Sequence, residues 1–282
     1  MLTAIAQRMT RAEILRAVAT RRATLSEYQM VPTAVRWSFI GFAATIPFEG
    51  AAIAASLSVS KLSGVIFIAC YLFFYNPLSG KRRLPSGSAP LFWFLVYFSV
   101  FLANGLFLDW YFLGQFLRIA LTLAQLLLVF WIASSLLAIE ALRRRVLLGF
   151  ALGAVLSALA TLLQVPGFAV VIEGHLGERL TSMDSNPNYV AFTMVIAAVI
   201  LLGTALDART HKLWSKAFLT SLALPLLAVA VRTGSRTGIA SFLIGFGICL
   251  CFTREARHRL LAALLFVLVS GAMTYLVVKH PT

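Results

Sequence analysis

LGQFLRIALTLAQLLLVFWIASSLLAI, residues 113–139, is a run of 27 residues in which Arg118 is the only charged side chain. A helix rises 1.5 Å per residue, and roughly 20 apolar residues cross the hydrocarbon core of a bilayer, so this stretch reads as a membrane-spanning helix. Eight further stretches read the same way, over 35–57, 62–78, 90–107, 146–165, 188–206, 217–231, 237–252 and 260–278. None alternates apolar and polar residues as a barrel strand does, and lipid admits only helices or closed barrels. The expectation is an all-α, polytopic transmembrane bundle of about nine spans. Composition agrees: of 282 residues 60% are hydrophobic and 12% charged, with a mean hydropathy of +0.90. That excludes an ordinary soluble domain.

Charge supplies an orientation, because Lys and Arg in short loops collect on the cytoplasmic side. With the N-terminus inside, 18 of the 24 basic residues are cytoplasmic. They are Arg8, Arg11, Arg16, Arg21, Arg22 and Arg36, then Lys81, Arg82 and Arg83, Arg143 to Arg145, Arg209, Lys212 and Lys216, and Arg254, Arg257 and Arg259. The opposite side keeps Lys61, Arg179, Arg232, Arg236 and Lys279. These loops account for the net charge of +14 through orientation and contact with anionic membrane lipids, and nucleic acid is not an expected partner.

Residues 1–34 carry five Arg before any span, with Leu2, Ile5, Met9 and Ala12 at helical spacing. They read as a basic interfacial segment on the cytoplasmic face rather than a cleaved signal peptide. Residues 35–282 read as a single transmembrane domain without repeats. Cys70, Cys249 and Cys251 all fall in apolar spans without ligand partners, so neither a disulfide, a metal site nor a cofactor is expected.

Two external segments can carry chemistry. The first is PGFAVVIEGHLGERLTSMDSNPN, 166–188, the longest external connection. Its Asn186 can cap a helix, with Pro187 at the first helical position, where a backbone N–H has no partner in any case. The second is VRTGSRTG, 231–238, where Thr233 or Ser235 can cap the next span and the glycines allow close backbone approach. Two helix N-termini beside Arg179, Arg232 and Arg236 would suit a phosphate or pyrophosphate. Asn-Pro and Gly-Ser pairs also cap helices that bind nothing. Against that, Arg232 and Arg236 run counter to the inside-positive bias. Glu49, inside the first expected span, must face protein, water or the interface. Arg118 can pair with Asp109 or join the phosphate site.

The pattern GERLTSMDSNPNYVA, a cytoplasmic basic loop, a short span and then RTGSRTGIA resembles the O-antigen ligase and polymerase superfamily of bacterial envelope glycan assembly. The resemblance covers most of the chain after the first spans. It implies a multi-span bundle in the bacterial inner membrane and a transferase of polysaccharide and lipopolysaccharide biosynthesis. The donor partner would be a glycan on a polyprenyl pyrophosphate, transferred without a metal or other cofactor. Arg179 and Arg236 match the arginines that hold the pyrophosphate, with Arg232 beside them and Asn186 and Ser235 capping the helices.

Members of that superfamily continue into a large periplasmic loop bearing a His that acts on the acceptor, where this sequence reaches Lys279-His280-Pro281-Thr282. The expectation is therefore a truncated member. His280 does not match that His, and His175, beside Glu173 and Glu178, is a loop histidine that could in principle act as a base. The acceptor, the glycan and the choice between ligation and polymerisation stay open. Two other classes remain: a transporter or flippase-like permease for an anionic lipid or solute, which would also use arginines and helix ends, and a noncatalytic membrane partner.

Overall fold

The computed structural model of the chain describes residues 28–49, 52–54, 57–75, 89–105, 107, 110–166, 168–174, 177–182, 186–207, 213–252 and 271. These residues are predominantly helical. Among the described residues, the helices of defined extent run in order: α1 Thr33–Thr45, α2 Val59–Phe74, α3 Ala89–Gly105, α4 Leu113–Leu137, α5 Glu140–Leu162, α6 Pro187–Leu206, α7 Leu213–Arg232 and α8 Arg236–Phe252. Two antiparallel hairpins interrupt them, β1 Ala52–Ala54 with β2 Leu57–Ser58, and β3 Ala169–Gly174 with β4 Gly177–Ser182.

Among the described residues four helices, α4 to α7, are long and apolar enough to cross a membrane; α2, α3 and α8 are shorter apolar helices. Their flanks expose large apolar side chains, including Phe73 at 84%, Trp93 at 66% and Leu121 at 64%. Along α3 no side chain is buried at all. An apolar surface of that extent requires lipid or another protein face.

Helices occur at each of the first eight expected spans, and two depart from expectation. The first expected span, 35–57, is helical only to Thr45. It then tightens into a 3-10 turn, Ile46–Phe48, with Pro47 in its first positions, and passes into the β1–β2 hairpin. Pro47 has no N–H to continue an α-helical ladder, so the segment is too short to count among the four spanning helices. The fifth helix begins at Glu140, six residues before its expected start at 146, and takes in the basic triplet Arg143 to Arg145. Glu140 favours that start, since an acidic first turn complements the helix dipole, and it pairs with Arg144 at 3.7 Å. The ninth expected span, and with it Cys251's side chain, Lys279 and His280, lies outside the described residues apart from Gly271.

By internal contacts the chain forms two compact units. One comprises Met1–Phe39 and Gly64–Arg145, the other Ile40–Ser63 and Val146–Thr282. In the first, α3 and α4 pack as a helical hairpin, locked by Phe101 stacked on Phe116 at 5.0 Å and Phe94 edge-on to Phe130 at 6.0 Å; Phe39 and Phe67 stack at 4.6 Å.

In the second unit α6 is the central helix. Val190, Met194, Ala198 and Leu201 on α6 join Ala154 and Ala158 of α5, Leu226 and Ala230 of α7, and Phe242 and Phe246 of α8 in one buried cluster. The small residues set the spacing. A Cβ built on Gly245 would lie 3.2 Å from Val199 Cγ2, and one on Gly238 only 2.7 Å from Ala191 Cβ. Positions 191 and 199 of α6 thus meet 238 and 245 of α8 in rising order, so these two helices run parallel and start at the same end of the unit.

Candidate functional site at the shared end of α6 and α8

Both helix starts are capped in the way their residues dictate. Asn186 precedes α6, and its side-chain oxygen accepts the Asn188 N–H at 2.9 Å, with Pro187 at the first helical position. Ser235 precedes α8 and is buried. Its Oγ accepts the Gly238 N–H at 3.1 Å, so the cap is Ser235 rather than Thr233. Thr233 instead joins α7 to the turn. It is buried, donates from Oγ1 to the Ala230 carbonyl at 2.7 Å and accepts the Ser235 N–H at 3.3 Å.

Gly234 adopts a positive φ of 65°, a left-handed conformation that costs glycine little and that ends helices. It lets the chain leave α7 and enter α8 within three residues. Gly238 then lies so close to Ala191 that a side chain there would collide. The turn TGSRTG therefore uses Thr233, Gly234, Ser235 and Gly238 for its own architecture. Arg236 and Thr237 are the residues it presents outward, and both are exposed. Arg232, the last residue of α7, lies just before the turn and is exposed as well.

The end of the unit thus gathers two helix N-termini and two arginines. Each cap takes one first-turn N–H, which leaves those of Arg236 and Thr237 without an intrahelical acceptor, and the helix dipoles add positive potential. Arg179 lies on β4, paired in register with Ile172 of β3, and β4 runs against α6 and α7. The connection expected to be external thus contains the β3–β4 hairpin. His175 lies outside the described residues.

One partner at this end carries no signal in the sequence. Tyr189, in the first turn of α6, donates its hydroxyl hydrogen bond to Glu49 Oε2 at 2.8 Å. Glu49 closes the 3-10 turn after Pro47 and is exposed at that helix end. At about 100° per residue, Tyr189 and Ala191 face opposite flanks of α6. Glu49 is therefore held on the flank of α6 away from α8. Pro47 is anchored from below, its carbonyl accepting a hydrogen bond from buried Ser157 at 3.3 Å. Arg118 belongs to the other unit and is exposed on α4, while Asp109 lies outside the described residues.

Comparison with protein-family models, with curated proteins and with solved structures finds no match.

Proposed function

We propose that this end of the second unit binds the pyrophosphate of a polyprenyl-linked glycan, and that the chain is a membrane glycan transferase of the ligase or polymerase type. The observation that carries the reading is the parallel start of α6 and α8, with two capped N-termini in contact beside Arg232 and exposed Arg236. Backbone N–H groups and guanidinium forks are the donors that hold phosphate oxygens. Transfer of the glycan localises negative charge on the departing pyrophosphate, and fixed positive groups there lower the barrier. The motif resemblance supplies the substrate class, and Arg179 on β4 is the third candidate contact.

Binding is the direct test. A prenyl pyrophosphate presented in detergent should bind the wild-type chain more tightly than the corresponding monophosphate, and Arg236→Ala should weaken the pyrophosphate by about tenfold or more, the scale of one charge-assisted hydrogen bond. Equal affinity of wild type and Arg236→Ala would end the reading.

In the proposed topology the N-terminus and the loops holding Lys81, Arg143, Arg209 and Arg254 are cytoplasmic, and the α6–α8 end faces the periplasm of a bacterial inner membrane. Alkaline phosphatase fused at Gly174 should be active and at Ser86 inactive; the reverse pattern would invert the orientation and remove the site from the side where the lipid-linked glycan is used.

A further inference from the structure

We propose that Tyr28, Arg36 and Arg145 of the first unit form a second anion site, one that holds the phosphate of an anionic phospholipid headgroup. It is independent of the transferase reading, uses none of its residues, and rests on three contacts within one unit.

Tyr28 is buried, 9% exposed, although it stands at the edge of the helical region. Two guanidinium groups converge on it from distant parts of the chain: Arg36 lies 4.5 Å and Arg145 4.6 Å from its ring centroid. The two cations are therefore no more than about 9 Å apart, held by the attraction of each to the ring face. Arg145 also donates a hydrogen bond to the Tyr28 hydroxyl. A phenol oxygen that accepts in this way still has its own O–H to donate. Arg36 donates to Thr33 Oγ1 at 2.7 Å, and its Nε is buried with no hydrogen-bond partner among the described residues.

The cluster thus concentrates hydrogen-bond donors and positive charge around one ring. The carboxylate of Glu140, in the same unit, is engaged with Arg144. Two repelling cations and a phenolic O–H are satisfied together by one cluster of phosphate oxygens, for which the planar guanidinium fork is well matched.

The source of that phosphate follows from the surroundings. Arg36 lies in the first turn of α1, and its neighbour Trp37 is 64% exposed, with Met30 59% exposed shortly before the helix. An exposed Trp beside arginines at a helix end marks headgroup depth, where a phosphodiester is the abundant anion. A lipid phosphate and free inorganic phosphate share this chemistry, so both belong in the test.

The full-length protein, purified in a neutral detergent, is exchanged into phosphatidylglycerol or phosphatidylcholine, and retained lipid is counted by native mass spectrometry. Wild type should retain phosphatidylglycerol preferentially. Tyr28→Phe keeps the ring and both cation–ring contacts while removing the hydroxyl and the Arg145 hydrogen bond to it, so it should fold with a melting temperature lowered only slightly yet retain about tenfold less phosphatidylglycerol. Arg145→Gln should lose as much, and Arg143→Gln, an exposed neighbour, should lose little. If inorganic phosphate at matched ionic strength displaces the lipid and raises the melting temperature equally, the anion site stands but its ligand is free phosphate, which overturns the lipid assignment; if chloride and phosphate act alike, the lipid is the ligand. Retention in Tyr28→Phe and Arg145→Gln equal to wild type, or an equal loss in Arg143→Gln, overturns the proposal.

Discussion

In the proposed transferase, extended with the loop that the superfamily resemblance implies, replacing Arg236 by alanine is expected to abolish glycan transfer while leaving membrane insertion and abundance close to wild type. The two effects separate because of how the turn before α8 is built. Ser235 caps the helix, Thr233 ties the end of α7 to the start of the turn, and Gly238 sets the contact with α6. Arg236 is exposed and takes no part in these contacts, so its loss costs folding little. In the proposed reaction its loss costs the chemistry a great deal, since the pyrophosphate must be held against water and must accept more localised charge as the glycan leaves. Arg236→Lys keeps the charge but loses the planar two-pronged contact. It should lower the rate about tenfold or more, at roughly 1.4 kcal/mol per decade. Were Arg236 only an interfacial anchor, Lys would replace it fully and Ala would chiefly reduce abundance. Measuring transfer per inserted molecule for the three forms separates these cases, and undiminished transfer by Arg236→Ala would end the catalytic assignment. Movement of the lipid pyrophosphate across the membrane by wild type, without transfer, would point instead to a permease.

Gly153→Ala is expected to be the most damaging single-methyl change among the described helical glycines. A Cβ there would fall 2.0 Å from the backbone carbonyl oxygen of Ala44, and backbone cannot rotate aside as a side chain can. Relieving the clash means moving the end of α1 away from α5, which also strains the Ser157 hydrogen bond to Pro47 and the placement of Glu49 beyond it. Overpacking of this kind costs about 1–3 kcal/mol, and the helix-propensity gain of roughly 1 kcal/mol for Gly to Ala offsets only part of a loss in that range. Gly41 on α1 provides the control, because a Cβ at that position meets nothing within 4 Å. Gly41→Ala should be neutral or slightly stabilising. Thermal unfolding of both variants in the same detergent decides the matter; equal melting temperatures would mean that the contact between Ala44 and Gly153 contributes little.

Much of this architecture is legible in one dimension, because it depends on local chemistry. Apolar runs of helical length locate α2 to α8 to within a few residues at most ends, since hydrocarbon forces the backbone to bond within its own segment. The helix caps are equally local. Asn186-Pro187 and the TGS preceding Arg236 announce their helix starts because capping needs a short polar side chain at one position and little else. Where hydropathy misplaced a helix end, a competing local rule was stronger. Pro47 ended a helix that the apolar pattern carried on to 57, and Glu140 started one earlier than the basic triplet implied.

Contacts between distant residues are a different matter. No pattern in the sequence pairs Glu49 with Tyr189, or brings Arg145 onto Tyr28, because partners 140 and 117 positions apart are chosen by packing. The presence of two helix starts rich in caps, with Arg232 and Arg236 beside the second, was determined by the sequence alone. Their meeting was not. It needed the parallel packing of α6 on α8, which glycine at 238 and alanine at 191 allow by leaving room for two backbones to touch. Many glycines flank helices without such a neighbour, and only the tertiary structure selects the one that has it.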